Sequence, residues 1–239
     1  SMASMTLDDL VTQLRAAYAD ELRCVVLYGS AAVGEQLGKR TDLNVLVIVQ
    51  QLDVERLRRE AAIARAWANT GNPPPLTLTD AEWSASADIF PIEYSDILER
   101  HRVLYGTPPF EGVRPSREHL RLQAENEAMG KLIQFRQGVL ATGGDHRGIM
   151  ELLRDSISTF MVIFRAVVRL HGETPPRGQE ELCTMVGRLA GFDATPFAKV
   201  VRHVRGTEKL TEGETQGVLS GYLQSLHRLV EHIDRMGHA

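Results

Sequence analysis

An α/β (α+β) fold with a mixed β-sheet, followed by an all-α helical bundle, is the fold class the sequence predicts. Three observations predict it. Short β-branched runs alternate with helical patterns in the first hundred or so residues; a proline-rich link occupies 107–115; and the helical patterns beyond it are almost free of such runs. The expected division is 6–113 for the first domain and 114–239 for the bundle. Residues 1–5 are expected to lie outside the fold, because Ser1 ahead of Met2 reads as vector-derived sequence.

Thr6, with Asp8 and Asp9 behind it, is an N-cap, and Leu7, Leu10, Leu14 and Ala17 recur at helical spacing up to about Asp20. Residues 24–28 and 43–49 are apolar, largely β-branched runs that read as buried strands. Between them the expected order is a Gly29-Ser30 turn, a short helix over 31–37 and a polar loop over 38–41. Ala, Leu, Arg and Glu over 53–68 predict a longer helix, halted by 69–72 and three prolines. A strand is expected at 76–78. Thr79 and Glu82 form a capping box for a short helix through Trp83, and 89–94 is expected to return as an edge or bulged strand despite Pro91. The bundle helices are expected at 116–141, 146–170, 179–190, 196–204 and 211–236. The last is the clearest, with a Thr211/Glu214 capping box and one apolar stripe from Val218 to Ile233.

Composition narrows the function classes. The 239 residues are 43% hydrophobic and 24% charged, which excludes a disordered chain or a fibre. The run at 45–49 is far short of the roughly 20 residues that cross a bilayer, so no membrane partner is expected. A formal charge of -4 offers no overall field for a polyanion, and no DNA is expected as a partner. Cys24 and Cys183 sit in apolar surroundings and read as buried free thiols, which suits a reducing cytoplasm, and no signal peptide is expected. Trp67 and Trp83 read as packing groups.

One constellation carries chemistry. Gly29-Ser30 closes one buried strand, eleven residues intervene, and Asp42-Leu43-Asn44 opens the next. Gly29 lets backbone approach a phosphate, Ser30 offers a hydroxyl and an amide, and a helix N-terminus after them favours negative charge. Residues 42 and 44 share a face by the two-residue alternation of a strand, and two oxygen donors there suit magnesium. Lys39 and Arg40 read as a solvated loop.

The segment LYGSAAVGEQLGKRTDLNVLVIV resembles the signature of the polymerase-β-like nucleotidyltransferase superfamily, in which a Gly-Ser motif precedes an Asp-apolar-Asp pair. The order of an N-terminal transferase domain and a helical C-terminal domain is also similar to kanamycin nucleotidyltransferase and its relatives. The resemblance implies a nucleotidyltransferase domain over 6–113 that binds ATP or another nucleoside triphosphate (NTP) with Mg2+ or Mn2+. It implies that Gly29 and Ser30 hold the phosphates, that Asp42, Asn44 and Glu93 hold metal, and that Asp42 and Glu93 are catalytic, with Glu93 either third metal ligand or general base and Asp96 its substitute in a shifted register. The expected partners are the NTP and an acceptor hydroxyl on a small molecule, a protein or an RNA, with a homodimer as the expected assembly. Asn44 departs from the pattern: it stands where a second carboxylate belongs, so the resemblance implies either a transferase with a weakened site or a relic that binds nucleotide without transferring it. A rival reading rests on Arg165 and His171, whose spacing resembles that of HEPN ribonucleases; there Ala166 departs from the pattern. His203, His227 and His232 lack metal-ligand spacing.

Overall fold

The structure, a computed structural model, describes residues 4–35 and 42–238. The expected loop with Lys39 and Arg40 lies outside the described residues. The chain divides into two compact units with the boundary at Pro115 and Ser116.

The first unit is built on a four-stranded mixed sheet of order β3-β2-β1-β4. Strand β1 (Leu22–Tyr28) runs antiparallel to both β2 (Asn44–Val49) and β4 (His101–Gly106), while β3 (Leu76–Thr79) runs parallel to β2. The two central strands are covered on both faces, which is why their sequences are nearly continuous apolar runs rather than alternating ones. On one face Leu10 and Leu14 of α1 (Leu7–Tyr18) and Ile63 and Trp67 of α2 (Val54–Ala68) pack against Val25, Leu27, Val45 and Val47. On the other, Trp83 of α3 (Asp80–Ala85) and Tyr94 and Ile97 of α4 (Pro91–Glu99) cover Cys24, Val26, Leu46 and Ile48. The buried Glu60 carboxylate ties α2 to both neighbours, accepting from the Tyr18 hydroxyl at 2.8 Å and from Thr77 Oγ1 at 2.7 Å.

Three expectations are corrected here. Residues 91–94 are helix, not strand: Pro91 sits at the first position of α4, where its missing N–H costs nothing, and Ser95 Oγ donates to Pro91 O at 2.7 Å. The strand that completes the sheet is β4, ten residues further on. The helix expected over 31–37 is a four-residue 3-10 turn, Ser30–Val33, closed by Gly34 in the left-handed region. Met5, expected outside the fold, packs against the core under α1, and Thr6 caps that helix with a full capping box.

The second unit contains α5 (Arg117–Ala141), α6 (His146–Leu170), α7 (Gln179–Ala190), α8 (Thr195–Arg205) and α9 (Thr215–Met236). Phe135, Phe160, Phe164, Phe197 and Tyr222 form its aromatic centre, with Phe197 and Tyr222 rings 4.5 Å apart. Ser156 Oγ and the Tyr222 hydroxyl share a 2.7 Å hydrogen bond, so this buried phenol has a polar partner. The Thr211/Glu214 capping box is present and starts a 3-10 turn that runs into α9.

Candidate functional site

The candidate site gathers at the end of β1. Gly29 leaves the strand with φ 82° and ψ −156°, a region that only glycine enters without strain. Its N–H donates to Arg100 O at 2.9 Å, and its own carbonyl accepts from Ala32 N at 3.1 Å. The turn is thus tied on one side to the start of β4 and on the other to the 3-10 turn that begins at Ser30. Arg100 adds a second tie, because its buried guanidinium donates to the Glu35 carboxylate at the far end of the 3-10 turn. Neither residue is signalled by any local pattern in the sequence; the pair spans 65 positions and only the fold brings it together.

Asn44 is the first residue of β2 and lies directly opposite Tyr28. A side chain on Gly29 would bring a Cβ to 3.4 Å from Asn44 Nδ2, so the amide sits over the bare backbone of the turn. Sequence spacing and structure therefore agree in joining Gly29 to residue 44. Asp42 stands two residues ahead of the strand rather than within it, exposed to solvent, in a lead-in segment anchored by Leu43 N donating to Asn72 Oδ1 at 3.0 Å. Outside the strand, side-chain alternation does not fix the face on which residue 42 lies.

Tyr28 is also opposite His101 on β4, so Asn44, Tyr28 and His101 form one cross-strand row on the face covered by α3 and α4. Glu93 stands exposed in the first turn of α4, close enough for its charge to act on Tyr28. Burial raises the Tyr28 phenol above its ordinary pKa, and the negative charge of Glu93 raises it further. The residue chosen from sequence thus lies on a helix and not on a strand as expected. Asp96 lies one turn further along the same helix, half-buried. His101 and Tyr28 were missed by sequence reasoning. His101 Nδ1 lies 2.9 Å from Ile97 O and 3.1 Å from Leu98 O, contacts that favour the tautomer with the proton on Nδ1 and the lone pair on Nε2.

The donor set can be tested against a metal. Strands β3 and β4, the strands after the Gly-Ser and Asp-x-Asn segment, carry no acidic residue. Among the described residues, no three His, Cys, Asp or Glu side chains are grouped as metal ligands. One carboxylate at 42 and one neutral amide at 44 fit a single hard cation held largely by substrate phosphates and water; they do not fit a pair of ions.

Elsewhere, burial pushes the Cys24 and Cys183 thiols up to about 12, so neither is a reactive thiolate. His171 caps the end of α6 with its ring stacked on His232, their Nε2 atoms 2.8 Å apart. That contact engages the histidine the ribonuclease reading needs, and no observation favours that reading. Among the described residues no helix is long and apolar enough to cross a membrane.

No family model and no curated protein matches the sequence. Among solved structures, the chain is similar to spectinomycin adenyltransferase AAD(9) from Enterococcus faecialis, a crystal structure with ATP and spectinomycin, with a TM-score of 0.60 over 96% of this chain and 100% of that one. The chain shares the fold of that adenyltransferase. At 10% sequence identity the likeness concerns architecture: a mixed four-stranded sheet with a C-terminal helical region. A second match, the toxin-antitoxin MntA-HpeT mutant, has 14% identity and a TM-score of 0.32 over 59% of this chain and 100% of that one.

Proposed function

We propose that the first unit binds an NTP at the Gly29-Ser30 turn and transfers its nucleotidyl group to a hydroxyl of a small-molecule acceptor. The observation that carries this reading is the convergence of a glycine-only turn with the residue-44 amide, on a nucleotidyltransferase fold. Gly29 leaves room for a phosphate against the backbone, and Ser30 supplies a hydroxyl and an amide. Asp42 and the Asn44 oxygen would hold one magnesium ion, which when bound neutralises charge on the phosphates. The acceptor oxygen attacks the α-phosphorus in line, the bond to the bridging oxygen breaks, and pyrophosphate leaves. Glu93 takes the proton of the attacking hydroxyl. Tyr28 and His101, in the row beside Asn44, line the approach to the acceptor.

The carboxylate-free strands β3 and β4, together with Asn44, favour a second reading: a protein that binds nucleotide without transferring it. Incubation with each of the four NTPs, magnesium and a panel of polyhydroxylated amines, followed by mass spectrometry, separates the two. Transfer predicts an acceptor heavier by one nucleoside monophosphate together with released pyrophosphate. Binding without either product supports the second reading, and binding of no NTP at all would refute both.

A further inference from the structure

The large apolar side chains exposed in the second unit are not scattered. Leu122, Met129, Ile133 and Leu140, the ones exposed among its described residues, all lie on α5. Their spacings of 7, 4 and 7 residues place them within about 40° of one another on a helix of 3.6 residues per turn. The stripe points well away from the face that α5 buries through Leu120, Ala124, Ala128, Leu132 and Phe135. Isolated exposed apolar residues need no explanation, but a single line of them along about 27 Å of helix does.

Asn126 and Arg136, both exposed, fill the two gaps in the line and complete a ladder with alternating steps of four and three residues. That is the seam of a two-helix coiled coil, in which one polar residue such as asparagine fixes register. We infer that α5 pairs with α5 of a second copy of this chain, antiparallel, about a two-fold axis at residue 131. The inference is independent of what the site in the first unit does.

Self-complementarity selects this partner. Two-fold pairing about residue 131 sets Leu122 against Leu140 of the other copy, Met129 against Ile133, and Asn126 against Arg136. Apolar meets apolar, the one polar pair joins an amide acceptor to a guanidinium donor, and no two like charges along the seam face each other, as an isologous interface requires. Arg136 already gives Nη2 to His227 Nδ1 at 2.9 Å, which holds the guanidinium in place while leaving its other N–H groups to donate. Gly130 lies beside the middle of the seam with no atom near the position of a Cβ. Among the described residues nothing calls for a glycine there, and a glycine weakens a helix interior. Two backbones crossing closely at the axis supply the reason.

The full chain, analysed by sedimentation velocity at about 100 µM, should run as a dimer, since a micromolar dissociation constant leaves the dimer dominant at that concentration. Ile133→Lys should run as a monomer with an unchanged circular dichroism spectrum, because residue 133 is exposed within the protomer. Orientation is read by oxidative cross-linking, to which the buried Cys24 and Cys183 contribute little. Leu122→Cys mixed with Leu140→Cys should form a mixed disulfide dimer, and Leu122→Cys alone should not. A wild-type monomer at this concentration, a dimer untouched by Ile133→Lys, or efficient cross-linking of Leu122→Cys to itself would overturn the proposal.

Discussion

Strands β1 and β2 occupy the middle of the sheet, one ending on Gly29 and the other beginning on Asn44, whereas β3 and β4 lie at its edges and bring hydroxyl, basic and apolar side chains but no carboxylate. The central pair carries the geometry on which the proposed phosphate site rests: a positive-φ glycine, a 3-10 turn that begins at Ser30 and an amide 3.4 Å from the missing Cβ. The edge pair carries none of the acidic chemistry that the resemblance leads one to expect of a later strand. On the proposed reading, the turn that would hold the phosphates and the charge that would drive transfer come from different parts of the first unit. Besides Asp42, the carboxylate proposed for the site, Glu93, lies on a helix.

The largest effect that would break this contrast concerns Glu93. If it takes the acceptor proton, Glu93→Gln should slow nucleotidyl transfer by about 10²- to 10⁴-fold while leaving NTP affinity unchanged. A parallel loss of affinity would place Glu93 in the binding half instead. The same variant has a spectroscopic sign. Glu93 raises the Tyr28 phenol, so removing its charge should let Tyr28 ionise at lower pH, though still above its ordinary value because burial is the larger cause and remains. An unchanged Tyr28 titration by ultraviolet difference spectroscopy would contradict the placement of Glu93 against this row.

A smaller effect sharpens the contrast from the other side. Asn44→Asp adds the charge that the site lacks, and magnesium affinity in the presence of ATP should rise on the order of tenfold, about 1.4 kcal/mol. Titration calorimetry reads this directly, and an unchanged affinity would mean that residue 44 does not face the metal.

The legibility of the sequence follows the same division. The β1 and β2 runs could be read because both faces of each are buried, and their apolar character needs no partner to be seen. The bundle helices could be read because their ends are written in caps and glycines, as with Thr211/Glu214 and Gly191 after α7. Strand β4 could not, because an edge strand is half-exposed: Arg102 and Val103 face water, so residues 101–106 lack a continuous apolar signature. The segment at 89–94 misleads for the opposite reason. Its apolar residues suggest a strand, yet Pro91, Tyr94 and Ile97 recur at three-residue spacing and form the buried face of α4. Within the site, Gly29, Ser30 and Asn44 are legible from spacing alone. His101, Tyr28 and the Arg100–Glu35 pair are not, since each joins the turn through strand pairing or a contact distant in sequence.

The most direct test of the central claim is calorimetric titration of magnesium-ATP into the wild-type chain and into Gly29→Ala. The variant forces a side chain into a glycine-only conformation, at a folding cost of about 1–3 kcal/mol, and crowds the space beneath the Asn44 amide. Saturable binding to the wild type, lost in a Gly29→Ala protein whose circular dichroism shows it still folded, is the predicted result. Equal binding by both proteins, or none by the wild type with any NTP, would contradict a nucleotide site at this turn.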